Sequence, residues 1–300
     1  MMQLEDFLRP TQKQLFSMLR QRYEDKAVCH RGAYLLVQGE VPVMLIAHLD
    51  TVHKQPVREI CKGSCGNILM SLQGIGGDDR CGVYALAKVY GQSSRKPWLL
   101  FTCDEEIGGI GAHVFCEDHA KGKLPESLGS LKFLIELDRK GSNDAVYYDC
   151  GNDDFEEYIT TKGFRTAQGS FSDISLIAPK LGVAAVNLSS GYYDAHTLHE
   201  HINVGQLEAV IGKVVDMVTE AAEDTVPRFE YRERPMDWDD WHGCILPRLP
   251  KRYMDIYEEL LCLYHPEELE AYRRTYGNRA LLPLYEENFG ALPGARHSEK

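Results

Sequence analysis

The chain has 300 residues, 44% hydrophobic and 26% charged, a balance that points to a soluble globular protein and excludes intrinsic disorder and a collagen-like fibre. Its 33 basic and 45 acidic residues leave a formal charge of -12, which repels phosphate backbones and anionic lipid, so neither nucleic acid nor a membrane is an expected partner. The apolar run Val43 to Ala47 is far short of the roughly 20 residues that cross a bilayer, the first thirty residues lack the apolar core of a secretory signal, and nine cysteines suit reduced thiols; a cytoplasmic location is expected.

A helix is expected near the start, with Thr11 as its N-cap and Leu15, Met18, Leu19 and Arg22 at helical spacing; its expected role is packing. Five short apolar runs follow: Tyr34 to Val37, Val41 to Ala47, Trp98 to Thr102, Phe133 to Leu137 and Val183 to Leu188. Each has strand length without clean alternation, as strands buried on both faces do. Helices are expected over Gly82 to Tyr90, Gly109 to Asp118 and Val204 to Ala222, the last with Leu207, Val210, Ile211, Val214 and Val218 on one face. The alternation predicts a three-layer α/β sandwich around a central, largely parallel mixed sheet. After residue 225 the composition shifts: the last 75 residues hold seven of the 13 prolines and seven of the 16 tyrosines. Residues 1–225 are therefore expected to form one domain. Residues 226–300 should form a mainly helical extension, with helices over Arg252 to Tyr264 and Pro266 to Tyr276. That extension either covers the mouth of a site with Trp238 and Trp241, forms an oligomer contact, or packs on the core.

In an open parallel sheet, ligands bind beyond the carboxyl ends of the strands. Here those ends are followed by acids and histidines: His48 and Asp50 in AHLDTVH, Asp104, Glu105 and Glu106 in FTCDEEIGG, Asp138 in FLIELDRKG, and His196 after SSGYYDA. A glycine-rich turn, GIGGDDRCGV, adds Asp78 and Asp79. Imidazole and carboxylate converging on one rim suit two divalent ions, zinc, cobalt or manganese. Taken singly, each piece has an ordinary reading: a surface polar pair, an acidic helix start, a tight turn. Cys61 and Cys65 beside His53 form a weaker zinc candidate without a second ligand pair, and His199 and His201 compete with His196.

The ordered set resembles the dinuclear zinc exopeptidases of metallopeptidase clan MH, which include tripeptidase T, the carboxypeptidase G and acetylornithine deacetylase group, and the tetrahedral and secreted leucyl aminopeptidases. The resemblance covers roughly residues 30 to 222. It implies one metal held by His48, Asp78 and Asp138 and a second by Asp78, Glu106 and His196, with Asp78 as the bridge. Asp78 is preferred to Asp79 because the family pattern sets a glycine four residues later, here Gly82; His196 is preferred to His199 because the last histidine stands four residues before a Glu, here Glu200. The resemblance also implies a cis bond between Asp78 and Asp79, Glu105 as general base and then acid, and Asp50 as the partner that fixes the His48 tautomer. Residues 1–225 would then be the catalytic domain.

Only 58 residues separate Asp138 from His196, and 28 separate Asp50 from Asp78, which leaves no room for the inserted domains of the lidded or tetrahedral relatives. Without a lid to bind a substrate carboxylate, an aminopeptidase or dipeptidase acting on short peptides is expected, with Asp173 or Asp194 meeting a free amino terminus and a homo-oligomer possible. The alternatives are a deacylase of acylated amino acids or a carboxypeptidase, which would need Arg80, Arg139 or Arg165 as a cationic pocket, and a catalytically dead binding protein on the same fold.

Overall fold

The structure, a computed structural model, describes residues 2–30, 32–169, 171–232, 251–260, 263–264 and 266–289. Trp238 and Trp241 lie outside the described residues. The chain divides into two compact units, Met1–Glu233 and Arg234–Lys300.

The first unit opens with helices α1 (Leu4–Leu8) and α2 (Gln12–Arg22). Thr11 caps α2, its hydroxyl accepting from the Gln14 amide while the Gln14 side chain accepts from the Thr11 N–H. Strands β1 (Ala27–His30), β2 (Tyr34–Val37) and β3 (Val41–His48) follow, then the short β4 (Cys61–Lys62) and β5 (Ile68–Met70). Helix α3 (Gly77–Gln92), strand β6 (Pro97–Thr102), helix α4 (Ile110–Ala120) and strand β7 (Phe133–Arg139) form the centre. The remainder is β8 (Asp144–Val146), α5 (Asp153–Thr161), β9 (Arg165–Thr166), α6 (Asp173–Leu181), β10 (Ala185–Ser189), β11 (Tyr192–Tyr193), β12 (His201–Asn203) and α7 (Val204–Ala222).

Eight strands form one mixed sheet in the order β1-β2-β6-β3-β7-β10-β8-β9. Its middle four, β6, β3, β7 and β10, run parallel, so their carboxyl ends meet along one rim. Along β3, Val43, Leu45 and Ala47 enter one core with Leu15 of α2, Leu86 of α3 and Val214 of α7, while Met44 and Ile46 enter the other with Phe115 of α4 and Ile177 of α6. That alternation into two cores is what the unbroken apolar runs encode. Each fully buried Leu or Phe contributes about 1.5–3 kcal/mol.

Sequence periodicity did not reveal a second, four-stranded sheet, β11-β12-β5-β4, because its strands are two or three residues long. Helices α1, α5 and α6 were also unanticipated; the Pro179 inside α6 obscured its pattern. Residues 226–232 follow α7 within the first unit, where Val226 and Phe229 are buried and Glu230 bridges to Val183.

In the second unit, helices α8 (Lys251–Leu260), α9 (Pro266–Tyr276) and α10 (Leu281–Phe289) share a core of Tyr253, Ile256, Tyr257, Leu260, Leu269, Leu281 and Tyr285. The helix expected over 252–264 is described as far as Leu260, with 263–264 in a turn. No helix among the described residues is long and apolar enough to cross a membrane.

Candidate metal centre

His48 ends β3 and is 1% exposed. Its Nδ1 lies 3.2 Å from Asp50 Oδ1, and a carboxylate there only accepts, so the imidazole carries its proton on Nδ1. The other nitrogen, Nε2, faces three more carboxylates: Asp78 Oδ1 at 3.1 Å, Asp138 Oδ1 at 3.6 Å and Glu105 Oε2 at 4.0 Å.

Asp78 lies in the turn that opens α3, and its peptide bond to Asp79 is cis. The two adjacent acids do different work. Asp79 turns inward, accepting from the His48 N–H at 3.2 Å and the Gly82 N–H at 3.0 Å. Asp78 faces the rim with Oδ1 toward His48 and Oδ2 3.2 Å from His196 Nε2. Only glycine fits at position 82, where a Cβ would overlap the Leu137 carbonyl oxygen and the Asp79 carboxylate.

His196 Nε2 is also 3.2 Å from Glu106 Oε2, and the His196 side chain is half exposed at the mouth. His199 does not enter this cluster, and the His201 ring stacks on Tyr193, 5.2 Å between centroids. Asp50 accepts from the Glu105 and Glu106 amides at 3.1 Å each, so one carboxylate orients both His48 and the turn bearing the two glutamates. Glu136, two residues before Asp138 on β7, is fully buried and accepts from the Ser172 hydroxyl.

The electrostatics record how crowded the charge is. Burial works against a charged His48, but hydrogen bonds to Asp138, Asp50 and Asp78 outweigh it and lift its pKa well above the usual value. Hydrogen bonds to Asp78 and Glu106 raise His196 to about 10. Burial, then the charge of Asp78, pushes Asp138 up to about 7 against the pull of His48. Glu105 rises to about 8, through burial first and the charges of Asp138, Asp173 and Glu106, again against His48. Asp78 also suffers burial, yet the hydrogen bonds of His196 and His48 hold it below the carboxylate range.

A metal fits this donor set. Ligands about 2.0–2.1 Å from a tetrahedral zinc stand about 3.3 Å from one another, and the nitrogen–oxygen separations at His48 and His196 fall at 3.1 to 3.6 Å. His48, Asp78 and Glu106 bring ligand atoms within 4.8 Å of one another, as do His48, Asp79 and Asp138. Because Asp79 is committed to two main-chain amides, Asp78 is the acid free to share its oxygens. Glu106 Oε1 is buried and has no hydrogen-bond partner, and no Lys or Arg among the described residues pairs with Asp50, Asp78, Glu105, Glu106 or Asp138. Cys61 and Cys65 are both exposed, and His53 is engaged elsewhere.

Several supporting residues escaped the sequence. Glu200, fully buried, accepts from the Gly76 and Asp78 amides at 2.9 Å each and from His53 Nε2 at 2.7 Å, which fixes the turn carrying Asp78. Tyr192 donates to Asp138 Oδ1 at 3.2 Å, and the Asn187 side chain brackets the Asp138 main chain with two bonds of 2.9 Å. The only sequence signal was an acid four residues after His196. Of the two acids proposed to meet an amino terminus, Asp173 is fully buried, its Oδ2 accepting from Thr102, while Asp194 is exposed and lies 3.5 Å from His201.

No protein-family model matches the sequence, and no curated protein matches it. The fold is shared with solved structures at low identity. A tripeptidase of Staphylococcus aureus superposes with a TM-score of 0.56 at 14% identity, covering 73% of this chain and 97% of that one. An aminopeptidase PepT of Bacillus cereus gives 0.54 at 14% identity with the same coverage. A TET peptidase of Pyrococcus horikoshii, which assembles into a tetrahedron or a large octahedral shell, gives 0.50 at 12% identity, covering 72% of this chain and 98% of that one. The likeness establishes that residues on the rim of this sheet stand on the same scaffold as in those peptidases.

Proposed function

We propose that the protein is a metal-dependent exopeptidase that removes amino-terminal residues from short peptides, using a centre of two divalent ions. The observation that carries this reading is the division of labour at Asp78, whose two oxygens face two different histidines at 3.1 and 3.2 Å. In this reading His48, Asp78 and Asp138 hold one ion and Asp78, Glu106 and His196 the other. Zinc is the expected metal, with cobalt and manganese compatible with the same ligands. When bound, the ions supply Lewis acidity to the scissile carbonyl and acidity to water.

The chain's own groups do the rest. Asp50 holds the His48 proton on Nδ1 and so keeps Nε2 free as a ligand. Glu105, its oxygen 4.0 Å from His48 Nε2, takes a proton from the attacking water and returns it to the departing amine. The surroundings argue against a deacylase or carboxypeptidase, which must bind a free carboxylate close to the ions. Arg80 donates to the Phe7 and Pro10 carbonyl oxygens, Arg139 lies 3.8 Å from Asp144, and Arg165 is in the edge strand β9. Exposed Asp194, near His196, remains the acid available to a substrate amino group. The acidic chain, with its seven described cysteines all free, suits the cytoplasm, and the assemblies of the TET peptidase make a homo-oligomer the expected state.

The test is mass spectrometry of a short-peptide pool, half with free and half with acetylated amino termini, incubated with zinc-reconstituted protein. Loss of residues from free amino termini alone is expected. Release of acetate or of carboxyl-terminal residues would transfer the assignment to the other amidohydrolase types.

A further inference from the structure

The turn that bears Glu105 and Glu106 is fixed by three successive main-chain amides, each held by a side chain. Glu105 and Glu106 donate to Asp50. The third, Asp104, donates to Gln12 Oε1 at 3.2 Å, and Gln12 Nε2 donates in return to Asp104 Oδ1 at 2.7 Å. Gln12 thus grips Asp104 with two bonds, one of them strengthened by the carboxylate's charge. Asp104 needs that grip, because its φ of 59° lies in the left-handed region, which costs a non-glycine residue roughly 1–2 kcal/mol. A main-chain rotation at Asp104 would swing the next residue, Glu105, away from His48.

Gln12 is the first residue of α2, and the segment just before it is tied to the other acid-bearing turn. Arg80, two residues after Asp78 and 4% exposed, donates from Nη1 to the Phe7 oxygen at 3.0 Å and the Pro10 oxygen at 2.9 Å. Six residues, Phe7 to Gln12, therefore touch both the turn of Asp78 and the turn of Glu105, which come from distant parts of the sequence.

We propose that Gln12 is a positioning residue for Glu105, and that the segment Phe7–Gln12 braces the two acid-bearing turns of the centre against each other. The inference rests on the role of Glu105 proposed above. The hydrogen bonds of the Gln12 side chain go to Asp104 and not to His48 or the acids that face it, so its effect passes through Asp104 to the placement of the base, where a displacement of about 1 Å costs on the order of a hundredfold in rate.

The experiment uses the full-length, zinc-loaded protein hydrolysing trialanine, with amide hydrogen exchange followed in parallel on the metal-free protein. Gln12→Met, which keeps the side chain's length, is expected to lower kcat about tenfold or more with KM within about twofold. It should also speed exchange over residues 104–109 but not over 43–47. Gln12→Glu sets two carboxylates together and should be at least as damaging. Combining it with Asp104→Asn restores a reciprocal pair, since the new carboxylate accepts from both the residue-104 amide and the new side-chain amide, and should recover most of kcat. Full turnover and unchanged exchange in Gln12→Met, beside an inactive Glu105→Gln, would overturn this inference alone. Full turnover in Glu105→Gln would overturn the base assignment as well.

Discussion

At Asp118, near the end of α4, one carboxylate meets Lys123 Nζ at 2.7 Å, the Tyr34 hydroxyl at 2.9 Å and His30 Nδ1 at 2.9 Å. At the rim of the sheet, Asp50, Asp78, Glu105, Glu106 and Asp138 meet two histidines and, among the described residues, no Lys or Arg. Both places combine histidine with acid, yet they differ in where the compensating charge comes from. Lys123, then His30, hold Asp118 well below the usual carboxylate range, so that cluster is complete in itself. At the rim, burial first and then the charges of neighbouring acids drive Asp138 to about 7 and Glu105 to about 8, and no Lys or Arg among the described residues pairs with either. A cluster of acid and histidine whose charge the chain does not balance suits an outside cation, which is the reading proposed for the rim.

The sharpest way to break the comparison is at the proposed base. Glu105→Gln keeps the shape of the side chain and should lower kcat by about 10²–10⁴-fold while zinc content, read by metal analysis, stays unchanged. Glu200→Gln acts one step back: a buried acceptor of three bonds becomes one that must offer a donor to donors. It should weaken zinc affinity about 10–100-fold in calorimetry and lower folding stability by about 2 kcal/mol in denaturant titration.

The two clusters should also respond to pH with opposite sign. In the metal-free protein, Asp173 at about 6, Asp138 at about 7 and Glu105 at about 8 all titrate above their unfolded values near 4. The folded chain then holds more protons than the unfolded one between about pH 4 and 8, so stability is highest at the acid end of that window and falls as pH rises. Denaturation midpoints in chelator should show that decline, and zinc should abolish most of it. At Asp118 the folded pKa is depressed, so its contribution is present above pH 4 and is lost as pH falls further. Asp118→Asn should therefore cost about 1 kcal/mol at neutral pH, nothing in strong acid, and leave zinc affinity as it was.

Much of the rim was legible because the sequence writes it as a repeated local pattern. A strand buried on both faces is a visible apolar run, and the chemistry starts at its last residue, as at His48 after Val41 to Ala47. Helix α7 was legible for the same reason, since one apolar face at period 3.6 marks both ends. The reciprocal Gln12–Asp104 grip spans 92 positions and uses an ordinary polar residue at the first turn of a helix read only as packing. Glu200 looked like a spacing marker, and only the fold shows that it reaches back 122 residues to the Asp78 amide. Arg80 looked like a candidate carboxylate receptor, but its Nη1 is turned to two main-chain oxygens of the N-terminal segment. Short strands such as β4 and β11 carry too few residues for any period to show.

The central claim is that Asp78 serves two ions at once. Isothermal titration with zinc, checked by elemental analysis of the dialysed protein, tests it directly in the wild type and in Asp78→Ala. Two zinc ions per wild-type chain, with both sites weakened together in the variant, is the result this account predicts. A wild type that binds one zinc or none, or an Asp78→Ala variant that still binds two with unchanged affinity, would contradict it.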